Sequence, residues 1–115
     1  MVKTPIPLYR QGNTTSPRMD NVRVDKDIAT FEDSGIIWVL ATIADNLSPG
    51  EISTFANSGS GKNWWKLDAD IDIPDRLKLI NDRDNHWLWQ PRHIMTLATY
   101  QDALRVIGAS FNKIN

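Results

Sequence analysis

The chain has 115 residues, of which 41% are hydrophobic and 23% charged, and its formal net charge is −1. These values are ordinary for a soluble globular protein, and we expect residues 1–115 to form a single domain. The absence of cysteine excludes disulfides, thiolate metal sites and cysteine nucleophiles. The small net charge gives no basic field for a polyanion, so nucleic acid is not a favoured partner. No apolar run is long enough to span a bilayer, which argues against membrane insertion.

The first predicted strand covers residues 6–12, where prolines lie at the start and a glycine ends the pattern. Successive side chains of a strand point to opposite faces of the sheet. Leu8 and Arg10 therefore share one face. Tyr9 and Gln11 share the other face.

The next segment is ambiguous between a short helix and an irregular connection. Asp25 is a candidate N-cap for a helix that would include Phe31. Residues 36–43 follow as a continuous apolar run that contains several β-branched residues. Such a run is typical of a strand buried on both faces, and we expect Trp38 within it to belong to the core.

Residues 50–55 combine a short strand pattern with two adjacent hydroxyls. Alternation puts Ser53 and Phe55 on one face, where a hydroxyl lies beside an aromatic ring, and Thr54 on the other. Hydroxyl residues in strands ordinarily serve as cross-strand pairs or edge residues. The polar, glycine-rich residues 57–63 come next, and we interpret them as a flexible lid or as a plain connector.

The sequence does not predict a phosphate loop or a metal site. Residues 60–63 fail the phosphate-loop pattern, because Ala56 replaces the first glycine and Asn63 replaces the magnesium-binding hydroxyl. Four aspartates within residues 68–75 lack the central glycine and the final glutamate of a calcium loop. The aspartates near His86 form an equally weak metal cluster.

Three further strands are predicted at residues 64–67, 76–80 and 86–90. The last of them alternates cleanly and ends at Pro91. His86 opens this strand beside a polar turn, a position from which an imidazole can reach a cleft.

The closing helix has the most regular pattern in the chain. Thr99 and Asp102 resemble a capping box, with Asp in the usual place of Glu. Five apolar residues then recur at helical spacing and are predicted to pack into the core: Leu97, Tyr100, Leu104, Ile107 and Phe111. Five or six strands with one or two packing helices predict an α+β domain built on an antiparallel or mixed β-sheet.

Four short motifs follow one another along the chain: Leu8-Tyr9-Arg10, Ile52-Ser53-Thr54-Phe55, Ile73-Pro74, and His86 followed by Pro91 and Met95. This order resembles the ADP-ribosyltransferase superfamily. More narrowly, it is similar to the small NAD-dependent toxin domains delivered by bacterial type VI secretion and related polymorphic toxin systems. The resemblance covers nearly the whole chain, from the first strand to the last helix.

The resemblance implies small, split and strongly bent β-sheets around a nicotinamide cleft, with NAD as the substrate and no metal. Arg10 would hold the NAD phosphate or ribose, and Ser53 would brace the cleft. His86 would take the third catalytic position, where many members have glutamate. Phe55 replaces the last serine of the family's Ser-Thr-Ser triplet. Because of these departures, transfer of ADP-ribose and cleavage of NAD by water both stay open.

The chemistry of these side chains is compatible with that assignment. Breaking the nicotinamide–ribose bond creates an oxocarbenium-like centre and depends on rigid positioning more than on a strong nucleophile. Arg10 can clasp a phosphate through two hydrogen bonds, and Phe55 or Trp65 can stack on nicotinamide. His86 can bind ribose hydroxyls or accept a proton. Three more residues are expected to contact NAD: Tyr9, Gln11 and Thr54.

As a toxin domain, the chain is expected to be a secreted or injected bacterial effector that acts in the cytoplasm of a target cell. Its expected partner is a cognate immunity protein that covers the cleft, while the acceptor of ADP-ribose stays open. The alternative is a non-enzymatic module, in which the five tryptophans form a stacking platform or face a protein partner. The lack of a basic stripe argues against nucleic acid in that role.

Overall fold

The computed structural model of the chain describes residues 2–22, 30–40 and 52–115. Within these ranges, short strands form two antiparallel sheets, and one helix packs against strands of both. The elements are β1 (Leu8–Gln11), β2 (Thr30–Asp33), β3 (Ile36–Val39), β4 (Ile52–Phe55), β5 (Trp64–Leu67), β6 (Leu77–Arg83), β7 (His86–Pro91), β8 (Met95–Thr96), α1 (Leu97–Gly108) and β9 (Asn112–Lys113). The predicted α+β class is confirmed at this level.

The larger sheet has six strands in the order β6-β7-β4-β1-β5-β9, and the smaller has three in the order β2-β3-β8. The first strand therefore lies inside the larger sheet, between two strands that come much later in the sequence. The described strand pairings are all antiparallel. This order brings the predicted strands at the start, middle and end of the chain next to one another.

One face of the larger sheet forms the core together with the helix. Leu8, Leu67 and Trp89 are fully buried on this face. Tyr100 of α1 is also fully buried, and its hydroxyl donates a hydrogen bond of 2.6 Å to the Trp89 carbonyl. Each fully buried apolar side chain of this size contributes about 1.5–3 kcal/mol, so this layer fixes the position of the sheet.

The helix begins three residues earlier than the predicted capping box indicated. Thr96 is the N-cap, and its hydroxyl accepts a hydrogen bond from the Thr99 amide. The predicted capping box is wrong, because Thr99 lies inside the first turn and Asp102 instead binds Arg105. The predicted burial of Tyr100, Leu104 and Ile107 is confirmed. Phe111 is buried as predicted, although it lies beyond the end of the helix.

The segment before β3 and the burial of β3 both differ from expectation. Phe31 lies in β2 and not in a helix, while the proposed cap at Asp25 falls outside the described residues. Ile36 and Ile37 are 49% and 37% exposed, so β3 is not buried on both faces. The reason is its position in a hairpin, which reaches the core at its Val39 end.

Trp38 was expected in the core and is only half-buried. Its ring stacks on that of Phe31, with ring centroids 6.3 Å apart and an interplanar angle of 9°. The two residues are directly opposite each other across the β2–β3 hairpin. The aromatic contact of Trp38 is therefore local to the hairpin.

The remaining differences concern the ends of strands. β6 continues to Arg83 through an irregularity, so it ends three residues beyond the predicted strand of residues 76–80. Pro91 is the last residue of β7 and is paired with Leu77. The two-residue strands β8 and β9 were not predicted, since a pair of residues has no measurable period.

Candidate active site

The larger sheet has a second face, opposite the core, on which a hydroxyl, an imidazole and two aromatic rings lie together. Ser53 and Phe55 alternate with the buried residues of β4 and so project from this face. His86 is in register with Phe55 across β4 and β7, and Tyr9 is in register with Phe55 across β1 and β4. All four side chains are half-buried. The register of three strands thus gathers residues from three separate motifs.

The side chains of Ser53 and His86 are in direct contact. The Nε2 atom of His86 lies 2.9 Å from the Ser53 hydroxyl oxygen. The His86 ring also packs beside Phe55, with ring centroids 5.4 Å apart and an interplanar angle of 48°. The direction of the hydrogen bond follows from the imidazole tautomer. If Nε2 accepts, the serine oxygen becomes a better acceptor for a ligand hydroxyl, and if Nε2 donates, the serine fixes the ring.

Arg10 binds backbone carbonyls with all three of its guanidinium nitrogens. Nε donates to the Pro17 carbonyl at 2.8 Å, and Nη2 donates to the Arg18 carbonyl at 3.0 Å. Nη1 donates to the Ser53 carbonyl at 2.7 Å. Arg10 therefore ties the loop after β1 to the strand that carries the serine. Ionised donors make hydrogen bonds roughly twice as strong as neutral ones, so this fork is a substantial brace.

The expectation that the Arg10, Ser53 and His86 side chains open into one cleft is wrong for Arg10. Arg10 shares a face with the buried Leu8, and it alternates with Tyr9, which lies on the face of His86. Its guanidinium reaches Ser53 through the carbonyl group and not through the hydroxyl. The three residues form one connected group, but Arg10 approaches it from the side of the core.

The ladder between β1 and β4 is short where Arg10 inserts. β1 and β4 are in register at Tyr9 and Phe55, whereas β1 and β5 are in register along all four residues of β1. The hydrogen bond from Arg10 to the Ser53 carbonyl satisfies a backbone acceptor next to this point. A side chain thus replaces part of the strand pairing between β1 and β4.

Thr54, which was expected to contact NAD, is fully buried. Its hydroxyl accepts a hydrogen bond of 3.0 Å from the Trp89 indole and donates one of 3.3 Å to the Trp87 carbonyl. The hydroxyl has no open side towards a ligand, because strand alternation directs it into the core. Its role is to hold β4 against β7.

The other expected NAD contacts fall on both faces of the sheet. Tyr9 lies beside Phe55, as described above. Gln11 is exposed on the same face, and its side-chain amide donates to the Lys62 carbonyl at 2.9 Å. Trp65 is in register with Arg10 on the opposite face, and its indole donates to the Asn13 carbonyl at 3.0 Å. Trp65 and His86 therefore do not share a face.

Residues 57–63 were interpreted as a flexible lid or as a connector, and their contacts favour the connector. The Gly12 amide donates to the Asn63 carbonyl at 2.9 Å, and the Trp64 indole donates to the Ser60 carbonyl at 3.1 Å. A Cβ atom added to Gly59 would lie 3.1 Å from the Trp64 ring, which is closer than most such contacts. The segment is thus packed onto the end of the sheet.

Lys66 and the loop after β1 were not recognised as parts of this region. Lys66 is in register with Tyr9 and lies on the same face. The alternation within residues 64–67 assigns Lys66 to one face of its strand. Only the pairing of this strand with β1 shows that this is the face of Tyr9. The carbonyls of Pro17 and Arg18 left no signal, since any residue type can supply a backbone acceptor.

Two cavities of the described part of the chain lie away from this region. One of about 340 Å³ is bordered by Met19, Trp65 and Phe111, and another of about 490 Å³ is bordered by Pro74 and Val106. Neither includes Ser53 or His86 in its lining. The hydrogen-bonded geometry on the sheet is the better guide to the chemistry, because it joins groups that can exchange protons.

The pKa values that differ from their usual range belong to residues of surface ion pairs outside the site. The hydrogen bond to Asp72 raises the pKa of Lys3, and the hydrogen bond to Asp20 raises the pKa of Arg105. Both cations are exposed, so these pairs contribute little to stability. Among the described residues, no group of three or more His, Asp or Glu side chains is arranged to hold a metal ion. The described helix is too short to cross a membrane.

Comparison with known proteins gives one match. A family model described as Tse2 ADP-ribosyltransferase toxin matches residues 3–113. No curated protein and no solved structure matches the chain significantly. The family match spans nearly the whole sequence and includes the strands that carry Arg10, Ser53 and His86. The predicted resemblance and the predicted enzymatic activity are thereby confirmed, and the chain belongs to the Tse2 ADP-ribosyltransferase toxin family of NAD-dependent toxins.

Proposed function

We propose that the chain transfers ADP-ribose from NAD at the sheet face that carries Ser53 and His86. The observation that supports this assignment is the 2.9 Å contact between the His86 imidazole and the Ser53 hydroxyl, beside Phe55. The site combines a polar pair that can bind ribose hydroxyls with flat rings that can cover nicotinamide. In this proposal the split of the superfamily's sheets lies within the larger sheet, at the short β1–β4 ladder, which divides β6-β7-β4 from β1-β5-β9.

The roles of the site residues follow from their contacts. His86 binds a ribose hydroxyl, and Ser53 holds the imidazole in one orientation. Phe55 and Tyr9 stack on nicotinamide or exclude water from it. Arg10 is a positioning residue, because its guanidinium holds the Ser53 carbonyl and the loop after β1. Rigid placement of the substrate supplies most of the rate acceleration that such a site can give.

In the reaction itself, the bond between the ribose C1′ atom and the nicotinamide nitrogen breaks, and its electron pair leaves with nicotinamide. The oxygen or nitrogen atom of an acceptor forms the new bond to C1′ and loses its proton to a base or to solvent. His86 is the side chain of the site that can act as this base, through an imidazole nitrogen. The chain therefore does not need a strong nucleophile of its own.

Hydrolysis of NAD is the second candidate activity, and one specific observation favours it. β7 has the sequence His-Trp-Leu-Trp-Gln-Pro and carries no carboxylate that could activate an acceptor. Water is a small acceptor that needs no binding surface. The two activities differ in their products, so a single assay separates them.

The experiment is incubation of the purified chain with labelled NAD and a cell lysate, with measurement of nicotinamide, free ADP-ribose and ADP-ribose bound to macromolecules. Bound label supports transfer, and free ADP-ribose equal to nicotinamide supports hydrolysis. Ser53→Ala and His86→Gln are expected to reduce nicotinamide release. His93→Gln is the matched control, since His93 is the other histidine and is exposed.

Absence of nicotinamide release by the wild type, in the presence of lysate, would overturn the proposal and favour a non-enzymatic module with the tryptophans as its contact surface. Loss of release in His93→Gln as well as in His86→Gln would count against a site at His86.

The proposal extends to the place of action and to a partner. NAD is held inside cells, so we propose that the chain is a secreted effector that acts in the cytoplasm of the target cell. A cognate immunity protein that covers the Ser53–His86 face would protect the producing cell. Cells should stop growing when the chain is expressed in their cytoplasm. They should keep growing when the chain is exported to the periplasm. Arrest on export alone would contradict this location.

A further inference from the structure

A row of four side chains crosses the larger sheet on the face opposite the core. His86 on β7 is in register with Phe55 on β4, Phe55 with Tyr9 on β1, and Tyr9 with Lys66 on β5. Each of the four is half-buried. Neighbouring strands are about 4.8 Å apart, so the row is about 14 Å long. We call these residues the cross-strand row.

The chemical character of the side chains changes from one end of the row to the other. The row begins at an imidazole that touches the Ser53 hydroxyl, continues through two aromatic rings and ends at an ammonium group. A dinucleotide carries a group that suits each kind of side chain in the row. Nicotinamide suits the aromatic rings, the ribose hydroxyls suit the imidazole, and the pyrophosphate with its two negative charges suits the ammonium group. About two strand spacings separate Phe55 from Lys66, which is the length scale of one nucleotide.

The pyrophosphate needs a cation that faces the row, and Arg10 does not meet this need. Its three guanidinium nitrogens donate to the Pro17, Arg18 and Ser53 carbonyls, and its side chain lies on the face of the core. These contacts use three of the five N–H donors of the guanidinium and hold it at the Ser53 carbonyl, away from the row. The first-strand arginine of this chain is therefore a brace and not a phosphate clasp.

Lys66 has the contacts expected of an anion-binding residue. Its Nζ atom lies 3.8 Å from Asp68 Oδ1, at the outer limit of an ion pair, and the two side chains are 37% and 63% exposed. Such an exposed pair contributes little, so a phosphate can displace the carboxylate at small cost. The half-buried stem of the lysine lies beside Tyr9, which limits the directions open to the ammonium group.

We propose that Lys66 binds the pyrophosphate of NAD, with nicotinamide at the Phe55 and His86 end of the row. This inference rests on the proposed function, because it assigns a second contact to the same substrate. It places the phosphate contact on β5, away from the first strand. Lys66 would then allow the site to discriminate NAD from analogues that lack phosphate.

The test is steady-state cleavage of NAD and of nicotinamide riboside by the wild type, Lys66→Met and Lys113→Met. Lys113 is the matched control, because it is exposed on β9 and in register with Trp65, on the opposite face. Lys66→Met should raise KM for NAD by roughly 5- to 30-fold with kcat within about twofold, the effect of losing one charge-assisted hydrogen bond at a half-exposed site. Cleavage of the riboside, which has no phosphate, should be unchanged.

A second variant keeps the assignment falsifiable if Lys66→Met alters the fold. Lys66→Arg retains the charge and should keep KM for NAD within about threefold of the wild type. An equal rise of KM in both variants would mean that packing and not charge is responsible, and would overturn the assignment. An unchanged KM in a folded Lys66→Met variant, with an active wild type, would overturn it while leaving the proposed function intact.

Failure of the proposed function has a different signature. In that case the wild type releases no nicotinamide from either substrate. Binding of ADP-ribose, measured by tryptophan fluorescence, then tests the anion contact at Lys66 separately. Weaker binding by Lys66→Met than by Lys113→Met supports an anion contact at Lys66, and equal binding or none overturns it.

Discussion

The His86 Nε2 atom lies 2.9 Å from the Ser53 hydroxyl, which joins two strands whose residues are 33 positions apart in the sequence. The two groups therefore act as one unit, in which either residue depends on the other for its orientation. This relationship distinguishes the pair from two residues that merely lie in the same cleft.

A double-mutant cycle tests that dependence. Ser53→Ala and His86→Gln should each reduce kcat/KM for NAD by roughly 5- to 150-fold, the loss expected when one partner of a hydrogen bond is left unpaired in the reacting complex. The kcat/KM of the double variant should be within about threefold of that of the less active single variant, because either change removes the same contact. Additive losses would mean that the two residues contribute independently.

Arg10→Lys should destabilise the fold more than its conservative chemistry suggests. A lysine has its three N–H donors on a single nitrogen and cannot reach all three carbonyls that the wider guanidinium spans. The loop after β1 and the Ser53 strand would therefore lose their common brace. We expect the free energy of unfolding to fall by about 2–4 kcal/mol, measured by urea denaturation. Arg76→Lys, at an exposed arginine, is the control. An unchanged unfolding midpoint for Arg10→Lys would rule out the bracing role.

Thr54→Val should reduce stability without changing the affinity of folded protein for NAD. Valine has the shape of threonine but leaves the buried Trp89 indole without its acceptor, at a cost of about 1–3 kcal/mol. Thr54→Ser keeps the hydroxyl and should be milder. Urea denaturation gives the stability, and KM for NAD, which does not depend on the amount of folded enzyme, reports substrate binding. A large rise of KM in Thr54→Val would restore Thr54 as a ligand contact.

Phe111→Ala should be among the most damaging truncations in the chain. Phe111 is 5% exposed and belongs to the core, so its removal should cost about 3–5 kcal/mol. Phe31→Ala, at an aromatic residue that is 42% exposed on the β2–β3 hairpin, should cost far less. Thermal and urea unfolding of both variants make the comparison. Equal losses would contradict the difference in burial.

The strands around the site were predictable because each carries its own local pattern. Alternation identified β1, β4, β5 and β7, and helical spacing identified the buried face of α1. Ser53 and His86 were named from the order of motifs. Their contact depends on the register of Phe55 with His86, which no single strand encodes.

The remaining features depend on distant backbone. The Arg10 side chain binds carbonyl groups, and carbonyl groups have no sequence signature. The exposure of Ile36 and the half-burial of Trp38 follow from how far a hairpin extends beyond the core, which an apolar run does not specify. Sequence patterns therefore indicate which strands carry the candidate residues better than they indicate the face on which each residue lies.

The placement of β1 between β4 and β5 has a consequence for how the toxin reaches its active form. Arg10 and its Ser53 acceptor are 43 positions apart, so forming this contact closes a long loop of the chain. Contacts between distant segments slow folding, because chain entropy is lost before they form. A chain that emerges from a ribosome or a translocation channel with its N-terminus first carries an unpaired β1 until β4 and β5 follow. The sheet that carries Ser53 and His86 is therefore completed late, after most of the chain has emerged.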